Sequence, residues 1–539
     1  MCSASTLRRA RRAGWYLALS LLVAAPLWSA RYPPFSDFTE HAAVSAALAH
    51  FNDPAWRVRE LFTFAPWATP YWLYDLVVAL VARATGDAVV AHKLVLTLSC
   101  AALPWSTAGF LRALGRHPGL AVLACSLFWS RALQYGLLPF VASIPVLFWA
   151  LGLYVRVLRQ PPTATVRARA ARVVGALLVS CVLPFLHIAT FAVFWVTAAG
   201  YGLLWRRRPV PGRWSRAMRV DRVLPLASGL VVIAYAAVAW RDGLDHELRF
   251  RGFGRTLASI PRWSFDVWHR REEAIFAAIY WAGCLGVFWS GRSRQVRLLL
   301  VRAWPLFAAI LVLVVLPFQL GAVIALNVRL APIVGIMVLP LLRLRKSWWA
   351  RASAIAGVVG TVGQAWVAHC ATVDAQASLG DFQRIIAAVP PGSRIFYLPL
   401  ETRASGFFPW VRMAAAIRAE KGGISQFSFT QLPHWPLQNR VAPPKAPPAS
   451  LAAADMKCWF DAATDGAFYD VLLVRGAYDP FRGTSDTVRH PMADQFELTV
   501  VAPPFYLWER RRPPGALPLR ALPQPNLLPA PCRAWGTTE

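Results

Sequence analysis

Residues 138–155 read LPFVASIPVLFWALGLYV and residues 173–187 read VVGALLVSCVLPFLH. Neither stretch holds an Asp, Glu, Lys or Arg. Between them stand Arg156, Arg159, Arg167, Arg169 and Arg172, again with no acid. A mainly apolar run of about 20 residues crosses a bilayer as a helix, because hydrocarbon has no water to satisfy another backbone conformation. Two such runs joined by a purely basic link read as a helical hairpin whose loop stays on the cytoplasmic side.

The same alternation recurs along the chain. Eleven stretches qualify as candidate spans: 14–30, 88–111, 119–136, 138–155, 173–187, 189–205, 223–240, 274–290, 297–317, 325–342 and 351–370. With the N-terminus cytoplasmic, the other inner segments carry Arg112 and Arg116, then Arg206, Arg207, Arg208, Arg213, Arg216, Arg219 and Arg222. Arg292, Arg294 and Arg297 follow, then Arg343, Arg345, Lys346 and Arg351. The only acid among all these loops is Asp221. The chain has 57 Lys and Arg against 27 Asp and Glu, a net charge of +30 that in a soluble protein would suggest nucleic acid. Placed on alternate loops, that charge is the positive-inside pattern, and no nucleic-acid partner is expected. At 57% apolar and 16% charged, the 539 residues exclude a string of soluble domains.

The expected fold is therefore a polytopic α-helical protein of the inner (plasma) membrane with about eleven transmembrane helices. Residues 1–370 form its multi-pass domain, and residues 371–539 form a soluble domain on the extracytoplasmic side, periplasmic or extracellular. Arg8, Arg9, Arg11 and Arg12 precede the first run as in a signal peptide, but Trp28 stands where a cut after Ala30 needs a small residue. An uncleaved anchor is expected.

This orientation puts residues 31–87 outside. Pro33 and Pro34 stop the first helix, and a new helical pattern begins at Asp37. Asp37, Glu40 and His41 stand at i, i+3 and i+4, so a helix places them on one face. Asp37 and Glu40 also have capping-box spacing, and a cap can place a catalytic acid as well as start a helix. Residues 66–86 carry Asp75 and Arg83 and read as an interfacial or re-entrant helix, which preserves the arginine alternation.

Ser36-Asp37-Phe38-Thr39-Glu40-His41 opens a long outer loop behind an N-terminal span, and Pro70-Tyr71-Trp72-Leu73-Tyr74 follows in an amphipathic stretch. Arg131-Ala132-Leu133-Gln134-Tyr135-Gly136 then ends a helix on the outer side, and His187 sits at the next outer turn. This layout, with its soluble C-terminal domain, resembles the GT-C superfamily of integral membrane glycosyltransferases. The resemblance implies transfer of a sugar from a lipid-phosphate donor, with an acid of the first outer loop as base or metal ligand. Carried over, that role falls to Asp37 first and Glu40 second, with His41 beside them in substrate binding. The loop has no Asp-x-Asp and no adjacent Asp-Glu pair, so the acceptor class does not carry over.

Asn327-Val328-Arg329 leads into the run LAPIVGIMVLPLL. An arginine at the edge of a span snorkels or finds an anion, and its planar fork suits phosphate oxygens. In GT-C-like enzymes a late arginine meets the donor phosphate, which makes Arg329 the candidate here. Arg131 and His187 are further substrate-binding candidates on the same side. The loop Arg241-Asp242-Gly243-Leu244-Asp245-His246-Glu247 gathers three acids and a histidine, and a divalent metal ion is within its chemistry, although neither EF-hand nor zinc spacing is present.

Beyond residue 371 the pattern turns to short strands at 394–399, 469–474 and 496–501, with a helix near 380–388. An α/β or α+β domain is expected, interrupted by the Pro-rich loop 441–448 and ended by a Pro-rich tail. Cys458 and Cys532 lie well inside it, where an oxidising compartment would permit a disulfide. The expected partners are membrane lipids and a lipid-phosphate-linked sugar donor. The competing reading is a transporter or flippase of a lipid-linked saccharide. Transporters place polar groups near the midplane within internal repeats, whereas here these groups gather at one face.

Overall fold

The computed structural model describes residues 4–65, 72–160, 164–204, 220–239, 248–290, 296–320, 323–344, 348–401, 409–432, 435–440, 443, 465–477 and 495–511. Its principal helices are α1 (Ala4–Ala24), α2 (Phe38–Ala49), α3 (Trp72–Thr85), α4 (Ala88–Ala113) and α5 (Leu138–Leu158). They continue with α6 (Val166–Leu186), α7 (Ile188–Leu204), α8 (Gly229–Ala239), α9 (Phe253–Phe265) and α10 (Arg271–Ser290). The last five are α11 (Val296–Val315), α12 (Ala331–Met337), α13 (Trp348–Ala377), α14 (Phe382–Ala388) and α15 (Met413–Lys421).

The chain divides into two compact units. The first holds Met1–Pro33, Pro70–Tyr74 and Lys93–Val373, and the second holds Pro34–Thr69, Asp75–His92 and Asp374–Glu539. Most of the first outer loop thus belongs with the C-terminal residues, where the sequence alone suggested a loop of the apolar domain.

In the first unit and its continuation into α4, four helices are long and apolar enough to cross a membrane: α4, α5, α6 and Arg351–Ala377 within α13. Shorter apolar helices cover Ala13–Trp28, Ile188–Leu204, Leu300–Val315 and Val328–Leu341. Of about eleven expected spans, four are helices of that length among the described residues. Stretch 119–136 is a 3-10 helix over Pro118–Phe128 followed by the single turn Arg131–Gln134. Stretch 325–342 breaks into Val328–Leu330, α12 and Leu339–Leu341. Stretch 223–240 starts as the 3-10 turn Leu224–Ser228 before α8. Four of these short elements carry a proline in their first two positions, Pro118, Pro225, Pro332 or Pro340, whose missing amide hydrogen prevents a preceding ladder from continuing through it, while Pro104, Pro145 and Pro184 are accommodated inside continuous helices.

The second unit is built on a mixed five-stranded sheet. Its strands are β2 (Arg394–Pro399), β3 (Ile424–Ser425), β5 (Val471–Arg475), β6 (Phe496–Ala502) and β7 (Phe505–Arg510). The spatial order is β3-β2-β5-β7-β6. β2 runs parallel to β3 and β5, while β7 is antiparallel to β5 and β6. Phe396, Leu398, Leu472, Val474, Phe496 and Trp508 fill its core. All five β5 residues are buried, as a central strand covered on both faces requires. A second ribbon pairs β1 (Phe62–Phe64) with β4 (Leu437–Asn439), antiparallel. A hydrophobic cluster of Val44, Val58, Phe62, Phe429, Trp435 and Leu437 joins this ribbon to α2. Cys458, Cys532, most of the loop 441–448 and the Pro-rich tail lie outside the described residues.

Candidate functional site

In the second unit the site grows from the start of α2. Asp37 occupies the N-cap position, but its carboxylate makes no capping bond. The expected capping box is therefore not formed. The Asp37 Oδ1 atom lies 2.6 Å from Arg412 Nη1, an ion pair whose side chains are 21% and 18% exposed. Thr39 Oγ1 donates to the Arg412 carbonyl at 2.9 Å, so two residues of the same turn hold Arg412. The guanidinium also lies over the rings of Phe427 and Phe429, with centroids at 4.4 and 4.8 Å. Such cation–π contacts fix a planar cation without consuming its outward N–H groups.

Glu40 has a different environment. It is 1% exposed. Its Oε2 accepts from Arg418 Nη1 at 3.4 Å, Ser428 Oγ at 3.3 Å and the Phe429 amide at 3.1 Å. Burial holds the Arg418 guanidinium below its ordinary pKa, while the Glu40 charge opposes that shift. A buried carboxylate persists only with such partners, and here they tie α2 to α15 and to the turn at Ser428. This is the geometry of a structural clamp.

His41 is enclosed as well. Its Nδ1 lies 3.3 Å from Asp75 Oδ1, and Ser45 Oγ donates to the same oxygen at 3.4 Å. The rings of Trp435 and Phe429 meet the imidazole edge-on at 5.1 and 5.5 Å. Asp75 is fully buried on α3. The helix face predicted for Asp37, Glu40 and His41 exists, but the three side chains go to separate partners, Arg412, Arg418 and Asp75.

In the first unit Arg329 is 7% exposed. Its Nη1 lies 3.1 Å from His187 Nε2, and its Nη2 donates to the Ile324 carbonyl at 3.3 Å. His187 Nδ1 accepts the Ala189 amide hydrogen at 3.1 Å, which leaves the ring proton of a neutral imidazole on Nε2.

Arg131 is engaged differently. It donates to Gln134 Oε1 and to His269 Nε2, both at 3.0 Å, and stands 3.6 Å from Asp266 Oδ2. Asp266 also pairs with Arg262 at 2.6 Å and with His269 Nδ1 at 3.2 Å. The Arg131 guanidinium therefore serves an internal network. His269 adopts a left-handed backbone with φ of 57°.

Among the described residues, no three His, Cys, Asp or Glu side chains converge as metal ligands. Beside Asp37 stands a guanidinium rather than a second metal-binding group, so this donor set does not fit a cation. The loop Asp242–Glu247, up to its last residue, lies outside the described residues.

Sequence reasoning passed over Asp75, Arg412, Arg418, Asp266 and His269. Only Asp75 carries a signal of its own in the sequence, an acid inside the apolar run WLYDLVVALVA.

No family model matches the chain, and no curated protein matches it. Among solved structures it is similar to the mycobacterial arabinofuranosyltransferase AftD, determined by cryo-electron microscopy, at 15% identity and a TM-score of 0.46. The match covers 87% of this chain and 37% of that one, so the chain spans little more than a third of the other protein's length. Fold and composition define the class: a mainly helical protein with four candidate membrane-spanning helices and a C-terminal mixed sheet.

Proposed function

We propose that the protein is a membrane glycosyltransferase that moves a sugar from a lipid-phosphate donor to an acceptor on the extracytoplasmic side. The acceptor hydroxyl gives its proton to the Asp37 carboxylate, and its oxygen attacks the anomeric carbon. The bond from that carbon to the phosphate oxygen breaks, and its electron pair leaves on the lipid phosphate. Configuration at the anomeric carbon inverts. Arg329 and His187 of the first unit are a separate proposal, as binders of an anionic group such as a phosphate. Glu40 and His41 hold α2, and Arg131 keeps its own loop in place.

One observation carries this reading. Of the acids around α2, Glu40 and Asp75 are buried, while Asp37 keeps a partly exposed carboxylate that no helix cap consumes. Arg412, 2.6 Å away, orients that carboxylate.

The test is reconstitution of the full chain in vesicles with a polyprenyl-phosphate sugar. Release of polyprenyl phosphate that depends on Asp37 supports transfer. Movement of the intact donor across the bilayer with no such release would replace this reading with the flippase.

A further inference from the structure

Arg116, Arg159, Arg302 and Arg343 come from four separate segments of the first unit. Arg116 lies between α4 and the 3-10 helix at Pro118, and Arg159 caps the end of α5. Arg302 is in the second turn of α11, and Arg343 follows the turn Leu339–Leu341. Three of these segments are loops that the arginine alternation assigns to the cytoplasmic side.

Arg116 is fixed in place. It is 8% exposed, its Nε donates to the Pro340 carbonyl at 2.7 Å, and its Nη2 donates to the Leu341 carbonyl at 3.3 Å. Arg159 Nη1 donates to the Ala113 carbonyl at 2.6 Å, at the end of α4. Burial, then the nearby charges of Arg302 and Arg343, bring the Arg116 guanidinium down to about 10. Among the described residues no carboxylate pairs with any of the four. Asp221, the acid of the predicted inner loops, is used by Arg169 at 2.8 Å.

Membrane insertion requires arginines on the inner face but does not require them to converge. Like charges at close range repel, and most strongly where burial removes water. Backbone carbonyls orient the Arg116 and Arg159 guanidiniums without neutralising them. An apolar cavity of about 620 Å³ is lined by Trp15, Leu19, Leu22, Gly119, Val122 and Val358, with Arg11 also on its wall; Gly119 stands three residues beyond Arg116, and none of the four arginines lines the cavity. The 3-10 helix that forms one wall is held by a bond from the Tyr16 hydroxyl to the Pro118 carbonyl.

We propose that the Arg116, Arg159, Arg302 and Arg343 cluster is a binding site for the phosphate of an anionic glycerophospholipid of the inner leaflet. Guanidinium forks pair with phosphate oxygens in the geometry that lysine lacks. The apolar cavity next to the Arg116 loop gives an acyl chain somewhere to lie, which a soluble phosphate does not need. This site is distinct from Arg329 and from Asp37, and it does not depend on sugar transfer.

The test uses the full-length protein in nanodiscs of phosphatidylcholine mixed with phosphatidylglycerol, with retained lipids counted by native mass spectrometry after partial delipidation. The wild type should hold phosphatidylglycerol in preference to phosphatidylcholine. Arg343→Gln, an exposed position where folding is not at stake, and Arg116→Gln should each weaken retention about fivefold. Excess inorganic phosphate should not displace the lipid. Unchanged retention in Arg343→Gln and Arg116→Gln would overturn the site. Displacement by inorganic phosphate would overturn the lipid and leave a soluble phosphate as the ligand.

Discussion

The Asp37 carboxylate meets the Arg412 guanidinium at 2.6 Å, at the first turn of a helix whose other acid is sealed in the protein. The two side chains are 21% and 18% exposed, and an Asn at this position keeps an oxygen that can accept from Arg412. Asp37→Asn should leave folding and membrane insertion intact and lower transfer by about 10²–10⁴-fold, the usual range for general-base help. Release of polyprenyl phosphate in single-turnover assays measures this. Wild-type release by the Asn variant would remove Asp37 from the mechanism.

Glu40 should behave in the opposite way. Glu40→Ala leaves Arg418 charged and buried without its carboxylate, a loss of about 3–5 kcal/mol for a broken buried pair. The variant should melt well below wild type by tryptophan fluorescence in detergent. Glu40→Leu combined with Arg418→Met should recover much of that stability, because the uncompensated charge is gone. If Glu40→Gln retains stability yet loses transfer, the carboxylate is part of the chemistry and the clamp reading is wrong.

Arg329 should show its role in the donor term. Replacing it with Gln removes charge-assisted bonds worth about 1.5–3 kcal/mol. The expected result is a higher KM for the lipid-phosphate donor with a smaller change in kcat. Arg329→Lys should recover only part of the loss, since an ammonium cannot form the planar two-oxygen contact. An unchanged donor KM in Arg329→Gln would exclude this arginine from phosphate binding.

The loop around His269 gives a pH dependence with a definite sign. Burial, followed by the Arg131 charge, lowers the His269 pKa below its ordinary 6.5. The unfolded chain therefore binds a proton on this ring at a higher pH than the folded chain does. Stability should hold above about pH 6.5 and fall as the pH drops through the unfolded value. His269→Asn, a residue that tolerates the left-handed backbone, should flatten that part of the melting profile between neutral and mildly acidic pH. A profile unchanged by the substitution would assign the dependence to another group.

Much of the architecture was legible because it depends on local composition. The apolar runs at 88–111, 138–155, 173–187 and 351–370 correspond to helices of sufficient length, and the strands at 394–399 and 496–501 appear within a residue of their reading. Hydrophobic runs and alternation report directly on the solvent each segment tolerates. The runs at 119–136 and 325–342 have the hydropathy of a span but form short helical pieces, three of them with a proline, Pro118, Pro332 or Pro340, in the first two positions, a distinction hydropathy does not carry.

The sequence alone determined that the chain is mainly apolar, that arginines gather between its apolar runs, and that Asp37, Glu40 and His41 share a helix face, because these properties follow from composition and a period of 3.6 residues. Only the tertiary structure decided what each of those side chains does. Asp37, Glu40 and His41 look equivalent in the chain, yet Arg412, Arg418 and Asp75 reach them from distant segments and give one a partly open ion pair, one a buried clamp and one an aromatic enclosure. Burial and charge pairing are properties of contacts made across long separations in sequence, and no local pattern encodes which arginine will arrive at which acid.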